Sequence, residues 1–199
     1  MFRITLVFSI FLSVLSPAQT LACSCLRISA QDYYNNADMV FVGKAQKTSA
    51  PDAPQSFNVL HRLKGKPGAK WTQSDNNVQA TTCGTHFSPG QVSIVLATRG
   101  SVNLCNGNFG ARIQLDDAIT WLEASGGHKE AIPDVKIRPV LDKVLESYSH
   151  VKGPLNFQIT QSIRLGKLWL VHGTIKVEGV AFAVLMDDSG VLMQSITER

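Results

Sequence analysis

The stretch QVSIVLAT, residues 91–98, gives the strongest strand signal in the chain. It is rich in β-branched residues and almost continuously apolar, which is typical of a buried strand. Upstream, DMVFVGKAQK at residues 38–47 predicts another strand, and Gly43 inside it indicates a bulge or a tight bend. Shorter segments predict further strands at residues 57–63, 78–82 and 101–105.

Two predicted helices flank these strands. Ser29 is a good N-cap and Asp32 stands three residues later, so a short helix is predicted over residues 30–36. A second helix is predicted over residues 116–124. Short strands with glycine and proline turns, and a helix at each end, suggest a small antiparallel barrel within residues 23–125.

The rest of the chain has a different pattern and carries no cysteine. Residues 133–199 predict one helix, from about Arg138, followed by strands with hairpin-length connections. These strands are predicted at residues 155–164, 168–177, 180–186 and 191–196. The pattern indicates a small α+β domain, one helix packed on an antiparallel meander, with residues 126–132 as the linker. The predicted fold class is therefore mainly β.

The first residues have the composition of a secretory signal peptide. A single arginine forms the positive region, the apolar run at residues 4–15 is too short to span a bilayer, and small residues precede a cleavage site after Ala22. Removal of residues 1–22 makes the mature protein an exported one, secreted or periplasmic. The alternatives are an uncleaved anchor and a lipoprotein attached through Cys23, although a lipoprotein signal prefers a large aliphatic residue where Thr20 stands.

An even number of cysteines in an exported protein implies disulfides. The chain has four, Cys23, Cys25, Cys83 and Cys105, and Cys23 becomes the first residue of the mature chain. Cys23 and Cys25 are too close to pair comfortably with each other. Each is expected to pair with a distant cysteine, Cys83 or Cys105. Either arrangement closes loops of tens of residues and contributes about 4 kcal/mol per disulfide in the chain-entropy model.

Composition and missing motifs exclude several classes of protein. An apolar fraction of 44% with 17% charged residues favours a packed core over disorder. A net charge of +4 without a block of Lys and Arg does not indicate nucleic-acid binding. The five histidines are scattered without metal-ligand spacing, and no nucleophile or phosphate-loop motif is present. We therefore expect no enzyme, no cofactor and no intrinsic metal site.

Several segments together match a known pattern. They are Cys23-Ser24-Cys25 at the mature start, ADMVFVG at 37–43, the F-x-V…L-K-G stretch at 57–65 and the C-G-x-x-F-x-x-G…V stretch at 83–95. Together they resemble the inhibitory domain of tissue inhibitors of metalloproteinases, a module called netrin-like in other secreted proteins. The resemblance covers residues 23–125, and C-x-C directly after a signal cleavage site is its specific element.

This resemblance implies a five-stranded OB-type barrel with flanking helices. It also implies the disulfide pairs Cys23–Cys83 and Cys25–Cys105. The free α-amino group and the carbonyl of Cys23 would chelate a protease's catalytic zinc, which has an open coordination position. Ser24 would point toward the S1′ pocket of that enzyme. The neighbouring contact ridge would consist of Ala80, Thr81 and Thr82.

Two functional hypotheses follow. The first is a secreted metalloprotease inhibitor whose partner is a zinc metalloprotease. The second is a non-inhibitory exported binding module that recognises another exported protein and uses C-x-C only as a disulfide staple. Neither hypothesis involves nucleic acid, and a membrane partner is expected only if Cys23 is lipidated.

Overall fold

A computed structural model describes residues 28–50, 53–74, 87–102, 115–146, 157–175 and 180–197. The helices in these ranges are α1 (Ala30–Asn36), α2 (Leu115–Ala124) and α3 (Asp134–Glu146). The strands are β1 (Met39–Ala45), β2 (Ser56–Lys64), β3 (Lys70–Thr72), β4 (Val92–Ala97), β5 (His128–Lys129), β6 (Phe157–Leu165), β7 (Leu168–Ile175), β8 (Val180–Asp187) and β9 (Gly190–Thr197). The described chain is mainly β, as predicted, with two antiparallel sheets.

The first sheet, sheet 1, has the strand order β3-β2-β1-β4. The pairing of β1 with β2 shifts register between Val42 and Gly43, because Leu60 of β2 is an extra residue there, whereas β1 pairs with β4 without a shift. An irregularity is therefore present beside Gly43, but its extra residue belongs to β2. A Cβ at Gly43 would lie 2.7 Å from Cε2 of Phe41. The buried ring of Phe41 therefore occupies the space that a larger residue would need.

Two other strands predicted in this region, at residues 78–82 and 101–105, are not described in full. The range 78–82 lies outside the described residues. Of the range 101–105 only Ser101 and Val102 are described, and Ser101 forms an isolated bridge with Thr98. Strand β3 is not predicted by the sequence, because three residues with one buried side chain are too few to show an alternation.

The second sheet, sheet 2, has the order β5-β6-β7-β8-β9. Strands β6 to β9 form the predicted meander, and α3 packs on it through Ile137 and Leu141, which are both fully buried. The range 126–132, predicted as a linker, contains β5, which pairs with β6. Sheet 2 therefore starts within that range.

Helix α3 begins at Asp134, earlier than the predicted start at Arg138, and contains Pro139. The N–H of Ile137 donates to the carbonyl of Pro133 at 3.3 Å, so a helical turn forms before the proline. The carboxylate of Asp134 lies in the first turn, where the helix dipole favours it, and accepts a hydrogen bond from Arg138 at 2.8 Å. This turn brings Ile137 onto sheet 2, so packing and the acidic first turn both favour the earlier start.

An apolar layer between the sheets, here called the intersheet core, joins them. It takes residues from β1, β2 and β4, from β6 to β9, and from α1 and α2. Its buried members are Tyr33, Tyr34, Ala37, Val40, Val42, Leu63, Ile94, Leu96, Ala118, Trp121, Leu122, Ile163, Leu168, Leu170, Leu185 and Met193. A second cluster, the sheet-1 core, consists of Phe41, Ala45, Phe57, Trp71, Phe87, Val95, Ala97 and Val102.

Leu170 on β7 is 2% exposed in the intersheet core, which makes it a test of how strongly the sheets depend on each other. Leu170→Ala should lower the free energy of unfolding by about 2–5 kcal/mol, because it removes buried apolar area and leaves a cavity. We expect amide hydrogen exchange to rise together in peptides from β1 and β7. Val135→Ala, at a position 80% exposed, is the matched control and should cost less than about 0.5 kcal/mol. Faster exchange confined to sheet 2 would contradict the expected coupling.

Candidate functional site

The residues that the sequence assigns to the candidate site lie outside the described residues. They are Cys23, Ser24, Cys25, Ala80, Thr81, Thr82, Cys83 and Cys105. The predicted signal peptide at residues 1–22 lies outside them too. The structure describes the framework at the borders of these segments.

Three of these borders are packed against an apolar core. Ile28, the first described residue, packs against the intersheet core. Phe87, which follows Cys83 in the chain, is 3% exposed in the sheet-1 core. Val102, which precedes Cys105, is fully buried in the same core. The described chain is therefore held by packing where it follows Cys25, follows Cys83 and precedes Cys105.

Helix α1 follows the predicted N-terminal segment and is held at its first turn. The Oγ of Ser29 accepts a hydrogen bond from the N–H of Asp32 at 3.1 Å, which confirms the predicted cap. The indole N–H of Trp121 in α2 donates to the carbonyl of Ala30 at 2.9 Å. Trp121 is buried in the intersheet core and Ala30 packs against that core. This hydrogen bond therefore ties α1 to α2.

The chain that follows Cys83 rejoins sheet 1 at the end of β1. The N–H of Gly90 donates to the carbonyl of Ala45 at 2.8 Å, and the N–H of Ala45 donates to the carbonyl of Gln91 at 2.8 Å. The side-chain oxygen of Gln91 accepts from the N–H of Ser88 at 2.9 Å. These bonds fix residues 88–91 against β1.

The end of β3 lies beside the chain that follows β4. The N–H of Ser74 donates to the carbonyl of Gly100 at 2.9 Å, and the side-chain amide of Gln73 donates to the carbonyl of Val102 at 3.4 Å. Gly100 has a φ of +76°, and a Cβ there would lie 2.1 Å from Oγ of Ser74. A glycine is therefore needed for this approach.

One histidine joins the two sheets. Nε2 of His61 on β2 lies 2.7 Å from Oδ2 of Asp187 at the end of β8, and the two side chains are 21% and 16% exposed. Asp187 also accepts hydrogen bonds from the N–H of Ser189 at 2.8 Å and from its hydroxyl at 2.5 Å. Burial raises the pKa of Asp187, but the hydrogen bonds from Ser189 and His61 outweigh it and hold that pKa below its ordinary range.

Ser, His and Asp also form the catalytic triad of serine hydrolases, but the hydrogen bonds between them differ here. The hydroxyl of Ser189 donates to Asp187 and not to His61, so the histidine is not placed to take the hydroxyl proton. Asp187 instead organises the β8–β9 turn and links it to β2. The arrangement is therefore a structural link and not a nucleophile site.

A groove of about 510 Å³ lies along the edge of β6, between residues 129–132 and 159–162. One end carries Glu130, whose carboxylate lies 2.9 Å from Nη1 of Arg164 and 3.1 Å from Nε2 of His128. Burial raises the pKa of Glu130, but the hydrogen bonds with Arg164 and His128 outweigh it and leave that pKa lowered. The groove is therefore lined by an ionised carboxylate and by two apolar residues, Ile132 and Ile159.

Within the described ranges, no group of three or more His, Cys, Asp or Glu side chains is arranged to hold a metal ion. None of the described helices is long and apolar enough to cross a membrane.

The sequence did not predict the contact between His61 and Asp187. It predicts a turn at Asp187, which is confirmed by the pairing of Asp187 with Gly190, but His61 stands 126 residues away. No local pattern marks such a pair, because only the packing of the two sheets brings it together.

Comparison of the chain with models of known families, with curated proteins and with solved structures finds no match in any of the three.

The link between His61 and Asp187 should give a measurable, pH-dependent contribution to stability. In a double-mutant cycle with His61→Gln and Asp187→Asn, we expect a coupling energy of about 0.5–2 kcal/mol at neutral pH. The pKa of Asp187 is lowered in the folded state, so its carboxylate stabilises the fold above the ordinary aspartate pKa of about 4. That contribution is lost as the pH falls through the folded-state pKa. Urea unfolding at neutral and acidic pH measures both effects.

Asp188→Asn is the matched control for this cycle. Asp188 is its neighbour in the turn, is 60% exposed, and lies 3.8 Å from Nζ of Lys167. We expect it to change the stability by less than about 0.5 kcal/mol. Equal losses for the Asp187 and Asp188 variants would contradict a specific link between the sheets.

Proposed function

We propose that residues 23–125 form an OB-type barrel and that the protein is an exported inhibitor of zinc metalloproteases. The observation that carries the proposal is the approach of β3 to the chain after β4, through the Ser74–Gly100 and Gln73–Val102 hydrogen bonds. In sheet 1, β1 pairs with both β2 and β4, and β2 pairs with β3. A fifth strand at 101–105, inserted between β3 and β4, would close this sheet.

The sheet-1 core supports the same proposal. Its members come from β1, β2, β3 and β4, and also from Phe87 and Val102, which flank the segments that carry the cysteines. Phe57 stacks edge-on against Phe87 with ring centroids 5.0 Å apart. An apolar interior lined by every strand of sheet 1 is the interior expected of a small barrel.

The chemical step of inhibition belongs to the first mature residue. The α-amino group and the carbonyl oxygen of Cys23 would bind a protease's zinc in the position that its catalytic water occupies. An α-amino pKa near 8 leaves a neutral fraction at neutral pH, and the metal competes for its lone pair. The disulfides Cys23–Cys83 and Cys25–Cys105 would hold this group, and the fixed start of α1 reduces the ordering cost of binding further.

Contacts beside the zinc would come from neighbouring residues. Ser24 would enter the S1′ pocket, and residues 80–82 would form the ridge next to it. In this proposal the chain carries out no reaction of its own and needs no cofactor.

A non-inhibitory exported binding module is the second candidate. The groove along β6 favours it, because it lies on sheet 2 and is lined by residues 129–132 and 159–162, away from the strands of sheet 1. In that case C-x-C would serve only as a staple, and sheet 2 would contact the partner.

The inhibitor proposal is tested by adding one alanine before Cys23. The protein with Cys23 at its N-terminus should inhibit at least one zinc endopeptidase of a panel. The extended form should lose about 2–5 kcal/mol of binding, at least about thirtyfold in the inhibition constant, because its amine no longer reaches the zinc. Intact mass spectrometry verifies both N-termini.

One alanine added after Arg199 is the matched control and should leave inhibition unchanged. If the two N-terminal forms behave alike across the panel, chelation through Cys23 is wrong. Binding of an exported protein by both forms without inhibition would instead support the second candidate.

A further inference from the structure

The outer edge of strand β6 is covered along only part of its length. Strand β5 pairs with Ile163 and Arg164, and the N–H of Glu130 donates to the carbonyl of Ser162 at 3.2 Å. Among the described residues, no strand lies beside the rest of this edge, residues 157–161. We call residues 157–161 the free edge of β6. The outward backbone groups of such an edge can pair with another extended chain.

The chain leaves this edge because of its own packing. After β5, Ile132 is 7% exposed in a cluster with Ile137, and Pro133 has no N–H with which to continue a ladder. The chain therefore turns onto the face of sheet 2 that α3 covers. The groove of about 510 Å³ is left between residues 129–132 and 159–162, beside the free edge and in line with β5. Its position is the one that a further strand would take.

The sequence of the free edge lacks two of the features that keep natural edges from pairing. Residues 157–163, FQITQSI, contain no charged residue and no proline. A bulge is present at Thr160, where the pairing with β7 shifts between Ile159 and Gln161. Pairing of two identical edges would have to accommodate two such bulges, whereas a short peptide has to adapt to one. The free edge therefore fits a short extended segment better than a second copy of the chain.

The charges beside the groove favour an acidic segment. Lys129 lines the groove, is exposed, and has no ion-pair partner within the described ranges. The carboxylate of its neighbour Glu130 is already engaged, 2.9 Å from Nη1 of Arg164 and 3.1 Å from Nε2 of His128. The ammonium of Lys129 and the guanidinium of Arg164 together exceed the single carboxylate. This end of the groove is therefore positive and complements a negative partner.

We propose that the free edge of β6 binds an extended segment of an acidic polypeptide partner as an added strand. Backbone hydrogen bonds to residues 157–161 give the affinity, and a carboxylate of the segment contacts Lys129. Alternate apolar side chains of the segment pack on Ile132 and Ile159, which line the groove. This binding mode rests on the second candidate function, the binding module. It goes beyond the proposed inhibition, since it uses neither the α-amino group nor the cysteines.

The experiment measures binding of three fluorescent heptapeptides to the full mature chain by anisotropy. The acidic peptide alternates valine with threonine and ends in two aspartates, and the basic peptide ends in two lysines instead. The third is the acidic peptide with every amide of its valine–threonine segment N-methylated, which removes the N–H groups that pair with an edge. We expect the acidic peptide to bind at least about tenfold more tightly than either of the others. On binding, amide hydrogen exchange should slow in residues 157–162 and stay unchanged in β9, the opposite edge of sheet 2.

Charge reversal tests the contact with Lys129 while the backbone of the free edge stays intact. Lys129→Gln should weaken binding of the acidic peptide by about fivefold. Lys129→Glu should reverse the preference, so that the basic peptide binds more tightly than the acidic one. Lys47→Glu is the matched control, because Lys47 is also exposed but follows β1 in sheet 1. It should leave both affinities unchanged.

Four outcomes would overturn the inference. They are no binding of the acidic peptide at up to about 1 mM, equal binding of the N-methylated peptide, an equal loss in the Lys47 variant, and a dimer in sedimentation velocity whose exchange protection falls on residues 157–162. The last would assign the free edge to a second copy of the chain. An exported protein that still binds the Lys129→Glu variant would reject this binding mode and keep the second candidate function. None of these results depends on whether a protease is inhibited.

Discussion

Strand β1 packs apolar side chains on both of its faces, and the positions of the two sheets follow from this. Val40 and Val42 enter the intersheet core, whereas Phe41 and Ala45 enter the sheet-1 core, and none of the four is more than 1% exposed. Full burial of a side chain such as Val or Phe contributes about 1.5–3 kcal/mol. Exposing either face would therefore remove much of the roughly 5–15 kcal/mol that stabilises a typical domain. Sheet 2 and the helices cover one face, and the sheet-1 core covers the other.

This arrangement also positions the start of the described chain. Helix α1 leads into β1, and Nζ of Lys64 on β2 binds the carbonyl oxygens of Tyr34 and Asn35 in its last turn. Because Trp121 holds the first turn as well, both ends of α1 are fixed to neighbouring elements. A chelating N-terminus binds well only when its ordering cost is already met by the fold. The packing of α1 would give the proposed inhibitor much of that rigidity.

Features that depend on a few neighbouring residues were predictable from the sequence. The Ser29 cap and the meander of sheet 2 each follow from local chemistry, and the structure confirms them. An irregularity does lie beside Gly43, although its extra residue belongs to β2. Features that depend on packing were not. The start of α3 at Asp134 has a local signal in its acidic first turn, but Pro139 favours a later start, and burial of Ile137 on sheet 2 stabilises the turn before the proline. The candidate site is different again, because the cysteines lie outside the described residues and their chemistry stays a prediction.

The grouping of charged side chains on the surface depends on strand register, which the sequence does not show directly. The excess of Lys and Arg in residues 39–102 is visible in the sequence, but which cations share a face is not. Strand β2 carries two register irregularities against β1, and together they restore the alternation, so Lys64 opposite Val40 and Asn58 opposite Lys44 lie on the same face. The environment of each lysine is set by its place along that face. Lys64 lies at the end where α1 ends and binds the carbonyl of Tyr34, whereas Lys44 and Lys70 align with Asn58 and are exposed. Which residue of β2 stands opposite which residue of β1 depends on where the extra residues fall, and composition cannot reveal that.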